Sequence, residues 1–190
     1  MVFESEWVWI ILLPRRLEFC RTVAREIYDN AIRLGRRPKN GAPTDVARAL
    51  AITEQGYYGE AAGMIYLSPI KWWIERLLDV RGVPDLGAII DVKTRRAAWQ
   101  DLPVQRDDEP HWIYVLAHVA ELPRVCLVGW CYGHEAKQDR FWGDPAGGRP
   151  AYWVPKDDPI LRPMTALRRE LERDPSLRGA CYPVRPARSL

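Results

Sequence analysis

Two carboxylates and an ammonium fall close together between Pro84 and Lys93. Asp85 stands in a turn signal, Pro84-Asp85-Leu86-Gly87, and the apolar run Ala88-Ile89-Ile90 that follows reads as a strand. The strand continues into Asp91, Val92 and Lys93. Side chains alternate between the faces of a strand, so Asp91 and Lys93 share one face and Val92 takes the other. Asp85 and Asp91 therefore converge with Lys93 at one end of a sheet strand. Hard oxygens beside a fixed positive charge suit a divalent cation, a phosphate and an attacking water. The plain alternative is a surface strand with a solvated Asp–Lys pair after an ordinary turn.

The pattern acid-x-Lys occurs a second time, at Glu135 and Lys137. Lysine is scarce, with five against twenty-three arginines, so a lysine at such a position carries information. The second match follows Gly133 and His134, past the end of a strand, and its nearest upstream acid, Glu121, precedes Pro123. The first match is the better site.

The elements that must position it read as follows. Residues 7–13 read as a strand or buried segment ended by Pro14, and 17–34 form a helix with Cys20, Val23, Ala24, Ile27 and Ala31 at helical spacing. A basic loop spans 33–41. Thr44 is an N-cap for a helix to about 53, which Gly56-Tyr57-Tyr58-Gly59 interrupts. A further helix, 58–67, places Glu60, Gly63, Met64 and Leu67 on one face. Glu60 is thus an acid on an apolar face, where an unpartnered carboxylate is unfavourable. A metal, its water or Lys93 would be its partner; the alternative is a wet helix start favoured by the macrodipole. Trp72 and Trp73 pack inside or form a lip over the site. Strands are expected at 77–83, 88–93, 111–119 and 124–132, with a polar stretch at 94–110 that includes Asp107, Asp108 and Glu109. A loop at 133–150, an edge strand at 151–154, a helix at 159–172 and a poorly ordered tail from 174 complete the chain. The order predicts an α/β fold with a mixed central sheet flanked by helices.

Pro84-Asp85 followed by Asp91-Val92-Lys93 resembles the PD-(D/E)xK nuclease superfamily, whose fold is restriction-endonuclease-like. The resemblance covers about Tyr57 to Tyr132. It implies an earlier helix acid, for which Glu60 is the match, and Mg²⁺ or Mn²⁺ as cofactor. Asp85, Asp91 and the Val92 backbone carbonyl would be metal ligands, with Glu60 binding directly or through water. Lys93 would orient the attacking water or stabilise the transition state. Arg95 and Arg96 could hold flanking phosphates, or simply be a charged strand end. The implied partner is nucleic acid, DNA above RNA. One departure is visible: neither Gln100 nor Gln105 has the tyrosine partner typical of recombination exonucleases.

At 190 residues, 47% of them hydrophobic, the chain can build one domain with a real core, expected over 1–173. A net charge of +3 neither demands nor excludes nucleic acid. The apolar run Trp7 to Leu13 is too short to span a bilayer and follows Glu4 and Glu6, so no membrane role and a cytoplasmic setting are expected. The widely spaced Cys20, Cys126, Cys131 and Cys181 are not the framework of a small secreted domain. Two rival functions remain. A zinc module would use Cys126, Cys131 and His134 with Cys20, His118 or Cys181. Against it, Cys126 and Cys131 lie five apart in a strand and should face opposite ways. A non-enzymatic binding module would use Trp99, Trp112, Trp130, Trp142 and Trp153, which core packing also explains.

Overall fold

The computed structural model describes residues 4–35, 45–67, 84–86, 89–145 and 147–174. The expected strand at 77–83, Trp72 and Trp73, the Thr44 cap, most of the basic loop, the tail and Cys181 lie outside the described residues.

Strand β1 (Val8–Ile11) runs into helix α1 (Pro14–Arg33), which starts on Pro14 because a first-turn amide needs no intrahelical partner. Cys20, Val23 and Ala24 are its buried face. Helix α2 (Val46–Leu67) is continuous. The expected interruption at Gly56–Gly59 does not occur, because the glycines serve close packing. A Cβ on Gly59 would meet the Thr94 hydroxyl at 1.9 Å, and one on Gly63 would meet Leu86 at 2.8 Å. Strands β2 (Ile90–Arg95), β3 (Leu102–Val104), β4 (Ile113–Glu121) and β5 (Arg124–Tyr132) follow. Short helix α3 (Gly133–Ala136), β6 (Trp142–Gly143), β7 (Ala151–Val154) and α4 (Met164–Arg173) end the described chain. Polar stretch 94–110 thus hides a strand, and loop 133–150 hides α3, a 3-10 turn at Asp139–Phe141 and β6.

The fold is mixed α/β with two sheets. The larger sheet has the order β1-β5-β4-β2; β2 runs parallel to β4 and the other pairs are antiparallel. The smaller has the order β3-β7-β6, so β7 is central in it, not an edge. Alternation along β2 and β4 sends Ile90, Val92, Ile113, Val115 and Ala117 into a core shared with α2 and α4. Tyr114 and Leu116 point the other way, into a second core with Leu102, Val104 and Val154 of the small sheet. Among the described residues, helices therefore cover one face of the main sheet and strands the other, where a sheet flanked by helices was expected.

Candidate active site

The site is built at β2, an edge strand of the main sheet among the described residues. The Val92 amide donates to Asp85 Oδ2 at 2.7 Å, and Leu86 and Ile90 exchange backbone hydrogen bonds of 2.8 and 3.2 Å. The Pro84–Leu86 segment is thereby pinned along the edge. A residue's N–H and C=O leave a strand on the same side, so the Val92 carbonyl shares that edge with Asp85.

Asp91 and Lys93 do share a face, as their spacing requires. Lys93 Nζ lies 3.3 Å from Asp91 Oδ1 and 2.9 Å from Asp108 Oδ2. Asp108 was not singled out from the Asp107-Asp108-Glu109 triplet. It reaches the site because its carboxylate accepts from the Gln105 amide at 2.9 Å, closing a tight turn that aims it at Lys93. Tyr114, also unforeseen, lies beneath: Lys93 Nζ is 5.3 Å from its ring centroid, and its hydroxyl donates to the Glu109 carbonyl at 2.9 Å. The signal for Tyr114 was its register opposite Asp91, which only pairing with β4 reveals.

Glu60 stands half-buried on α2, on the helix side of the sheet. Lys93 points to the opposite side and is held by Asp91 and Asp108, so Lys93 is not the partner of Glu60. Glu60 acts on Asp85. Burial, then the charges of Glu60 and Asp91, hold the Asp85 carboxyl well above the usual carboxylate range. Burial also raises Asp91, against the pull of Lys93. Burial works against the Lys93 ammonium, but Asp91 and Asp108 outweigh it and keep the charge on. Asp85, Asp91 and Asp108 thus share the one Lys93 ammonium.

That surplus fits a hard cation. Asp85 and Asp91 interact side by side, and the Val92 carbonyl adds a third oxygen. Mg²⁺ keeps most of its water, so few protein oxygens suffice. Among the described residues, no group of three or more carboxylates, thiols or imidazoles is placed to hold a metal.

The arginines divide. Arg95 turns to the small sheet, its guanidinium 5.3 Å from the Trp153 ring, and its Nε is buried without a hydrogen-bond partner among the described residues. Arg96 is exposed, and its amide donates to Gln100 Oε1 at 3.0 Å. The structure does not bring Arg96 to the site.

The zinc set is not assembled among the described residues. Cys20 belongs to the helix-side core, with Sγ 3.5 Å from the Tyr57 carbonyl oxygen. His118 is buried with Nε2 2.8 Å from the Gln100 carbonyl oxygen, and His134 is exposed and stacked on Tyr132. Cys126 and Cys131 face the same way, contrary to expectation. Leu116 pairs with Gly129 and Ala117 with Leu127, so Val128 is an extra residue that resets the alternation. Both thiols enter the core against the small sheet, where burial pushes each up to about 12. Cys20, Cys126 and Cys131 are all free.

No helix among the described residues is long and apolar enough to cross a membrane. No family model, curated protein or solved structure matches the chain.

Proposed function

We propose that the chain is a Mg²⁺- or Mn²⁺-dependent nuclease that hydrolyses phosphodiester bonds in DNA, on a restriction-endonuclease-like core in a reduced, cytoplasmic setting. The carrying observation is the half-buried Asp85–Asp91 pair beside the Lys93 ammonium at the β2 edge. Asp85, Asp91 and the Val92 carbonyl would hold the ion, with Glu60 binding directly or through water on the other side of Asp85. Mg²⁺ or Mn²⁺, when bound, neutralises charge on the phosphate and acidifies water. Lys93 remains an ammonium, and Asp91 and Asp108 fix its direction, so it can orient the attacking water or meet the charge that develops on the phosphate. Asp108 is a positioning residue for Lys93.

One observation favours a second reading, a non-enzymatic nucleic-acid- or protein-binding module. Lys93 is already paired on both sides, and only two carboxylates stand side by side. The deciding experiment is incubation of linear, nicked and branched DNA and of RNA with wild type and Asp91→Ala, in EDTA, Mg²⁺ or Mn²⁺. Cleavage that needs the ion and Asp91 is expected. Binding without cleavage of any substrate would leave the binding module.

A further inference from the structure

A cleft of about 480 Å³ is lined by Gln105, Arg106, Asp107, Trp142, Gly148, Arg149 and Pro150. It lies on the face of β2 that carries Asp91, Lys93 and Arg95, and one of its walls is the turn that delivers Asp108. Its size suits one nucleotide. Trp142 is 42% exposed and is braced edge-on by Tyr152, with ring centroids 4.8 Å apart. A large aromatic held at a rim and still open is a platform for a base. Asp144 accepts from the amides of Gly148 and Arg149 at 2.5 and 3.0 Å, so the segment carrying Arg149 is set in place before any ligand arrives. Gly147 and Gly148 make that turn possible, with φ of 72° and 82°.

Cationic groups line the cleft as well: Arg106 and Arg149 stand in it with Asp107. Beyond the lining, the Arg95 Nε–H is buried without a partner among the described residues.

We propose that this cleft binds a single-stranded segment of the DNA substrate next to the cleavage site, with a base stacked on Trp142 and its phosphate on the lining arginines Arg106 and Arg149. The assignment names the substrate class for the nuclease reading and rests on it. A stacking platform takes any base and rejects paired ones, because a duplex hides its base faces. The row Asp91, Lys93, Arg95 along one face of β2 would carry the strand from the carboxylates to the cleft.

The test is fluorescence anisotropy in EDTA with a labelled oligothymidylate and a blunt duplex of equal length. Wild type should bind the single strand at least tenfold more tightly than the duplex. Trp142→Ala should weaken single-strand binding roughly tenfold, and Trp142→Phe should recover most of it. Arg149→Ala should weaken binding and reduce the salt slope by about 0.7, the contribution of one phosphate on a single strand. Equal affinity for both DNAs, or wild-type affinity in Trp142→Ala and Arg149→Ala, overturns the proposal. The two readings fail separately. Asp91-dependent cleavage with binding indifferent to Trp142 and Arg149 removes the cleft and keeps the nuclease. Cleft-dependent binding without cleavage keeps the cleft and removes the nuclease.

Discussion

Asp91 and Lys93 are two residues apart, and so are Glu135 and Lys137, yet the pairs are put to different uses. On β2 a two-residue step returns to the same face, and the charges meet at 3.3 Å. Glu135 and Lys137 straddle the end of α3, where two residues turn the helix by roughly 200° and the side chains part. Glu135 folds back to cap its helix, accepting from the Tyr132 amide at 2.9 Å, and takes a two-pronged grip from Arg162, one contact being 2.7 Å. Lys137 reaches the Arg106 carbonyl at 3.0 Å and also the Asp108 carbonyl. The electrostatic outcomes are opposite. Burial alone would raise Glu135, but Arg162 and the Tyr132 amide together pull its carboxyl below the usual range. Asp91 stays raised because burial outweighs the pull of a lysine that it shares with Asp108. A compensated acid is a clamp, while an under-compensated cluster still has affinity for a cation.

Four measurements break or sharpen this contrast. The largest effect is expected for Asp91→Ala: cleavage should fall by more than the about 10–100-fold that even an outer-shell metal partner is worth. Glu135→Ala should leave cleavage near wild type in the same assay. Equal losses would erase the distinction.

Next comes Lys93→Ala, which should lower kcat by about 10²–10³-fold, as for loss of one preorganised donor. Calorimetric Mn²⁺ affinity should not weaken, since an ammonium is not a ligand. Lys137→Ala should stay within a few-fold of wild type, because it reaches only the backbone of the Asp108 turn. If Lys93→Ala abolishes Mn²⁺ binding, its role is structural.

The third measurement is thermal unfolding against pH in EDTA. Asp85 and Asp91 bind protons more tightly folded than unfolded. Their contribution is therefore complete below the unfolded carboxylate pKa and is lost as pH rises through the folded values. Each pH unit in that window removes up to about 1.4 kcal/mol per group. Asp85→Asn, which can still accept from the Val92 amide, should flatten the loss and raise Tm at neutral pH. Mn²⁺ should restore wild type in the same range. A Tm that rises with pH across this window would show that the carboxyls are not crowded.

The smallest effect belongs to the clamp. Glu135→Ala should lower stability in urea by about 1 kcal/mol, a modest figure because Arg162 is 37% exposed and solvent screens the pair. The depressed carboxyl reverses the sign: its stability is present above the unfolded pKa and is lost as pH falls through the folded one. A deficit of the variant that is present at neutral and alkaline pH and vanishes as pH falls through the folded pKa fits; a deficit independent of pH does not.

Local rules explain what was legible. The β5 limits, Arg124 and Tyr132, agree with the reading because apolar residues and turn residues mark both ends. The shared face of Asp91 and Lys93 follows from a period of two, which needs no partner strand. The glycines of α2 misled for an equally plain reason. In isolation glycine weakens a helix, but here Gly59 and Gly63 let α2 approach Thr94 and Leu86, and burial outweighs propensity. The parity of Cys126 and Cys131 was lost to one extra residue at Val128, which appears only when β5 is laid against β4.

The amino-acid sequence by itself determined helices α1 and α4, the strands β1, β2, β4, β5 and β7, and a carboxylate and a lysine on one strand face, because each depends on neighbours within a few positions. Tertiary structure decided which of three consecutive acids meets Lys93, on which side of the sheet Glu60 lies, and that strands cover the second face. It also brought Trp142 and Arg149 to the rim beside Arg106. Those placements depend on pairing and packing between segments far apart in the chain, and no local period encodes them.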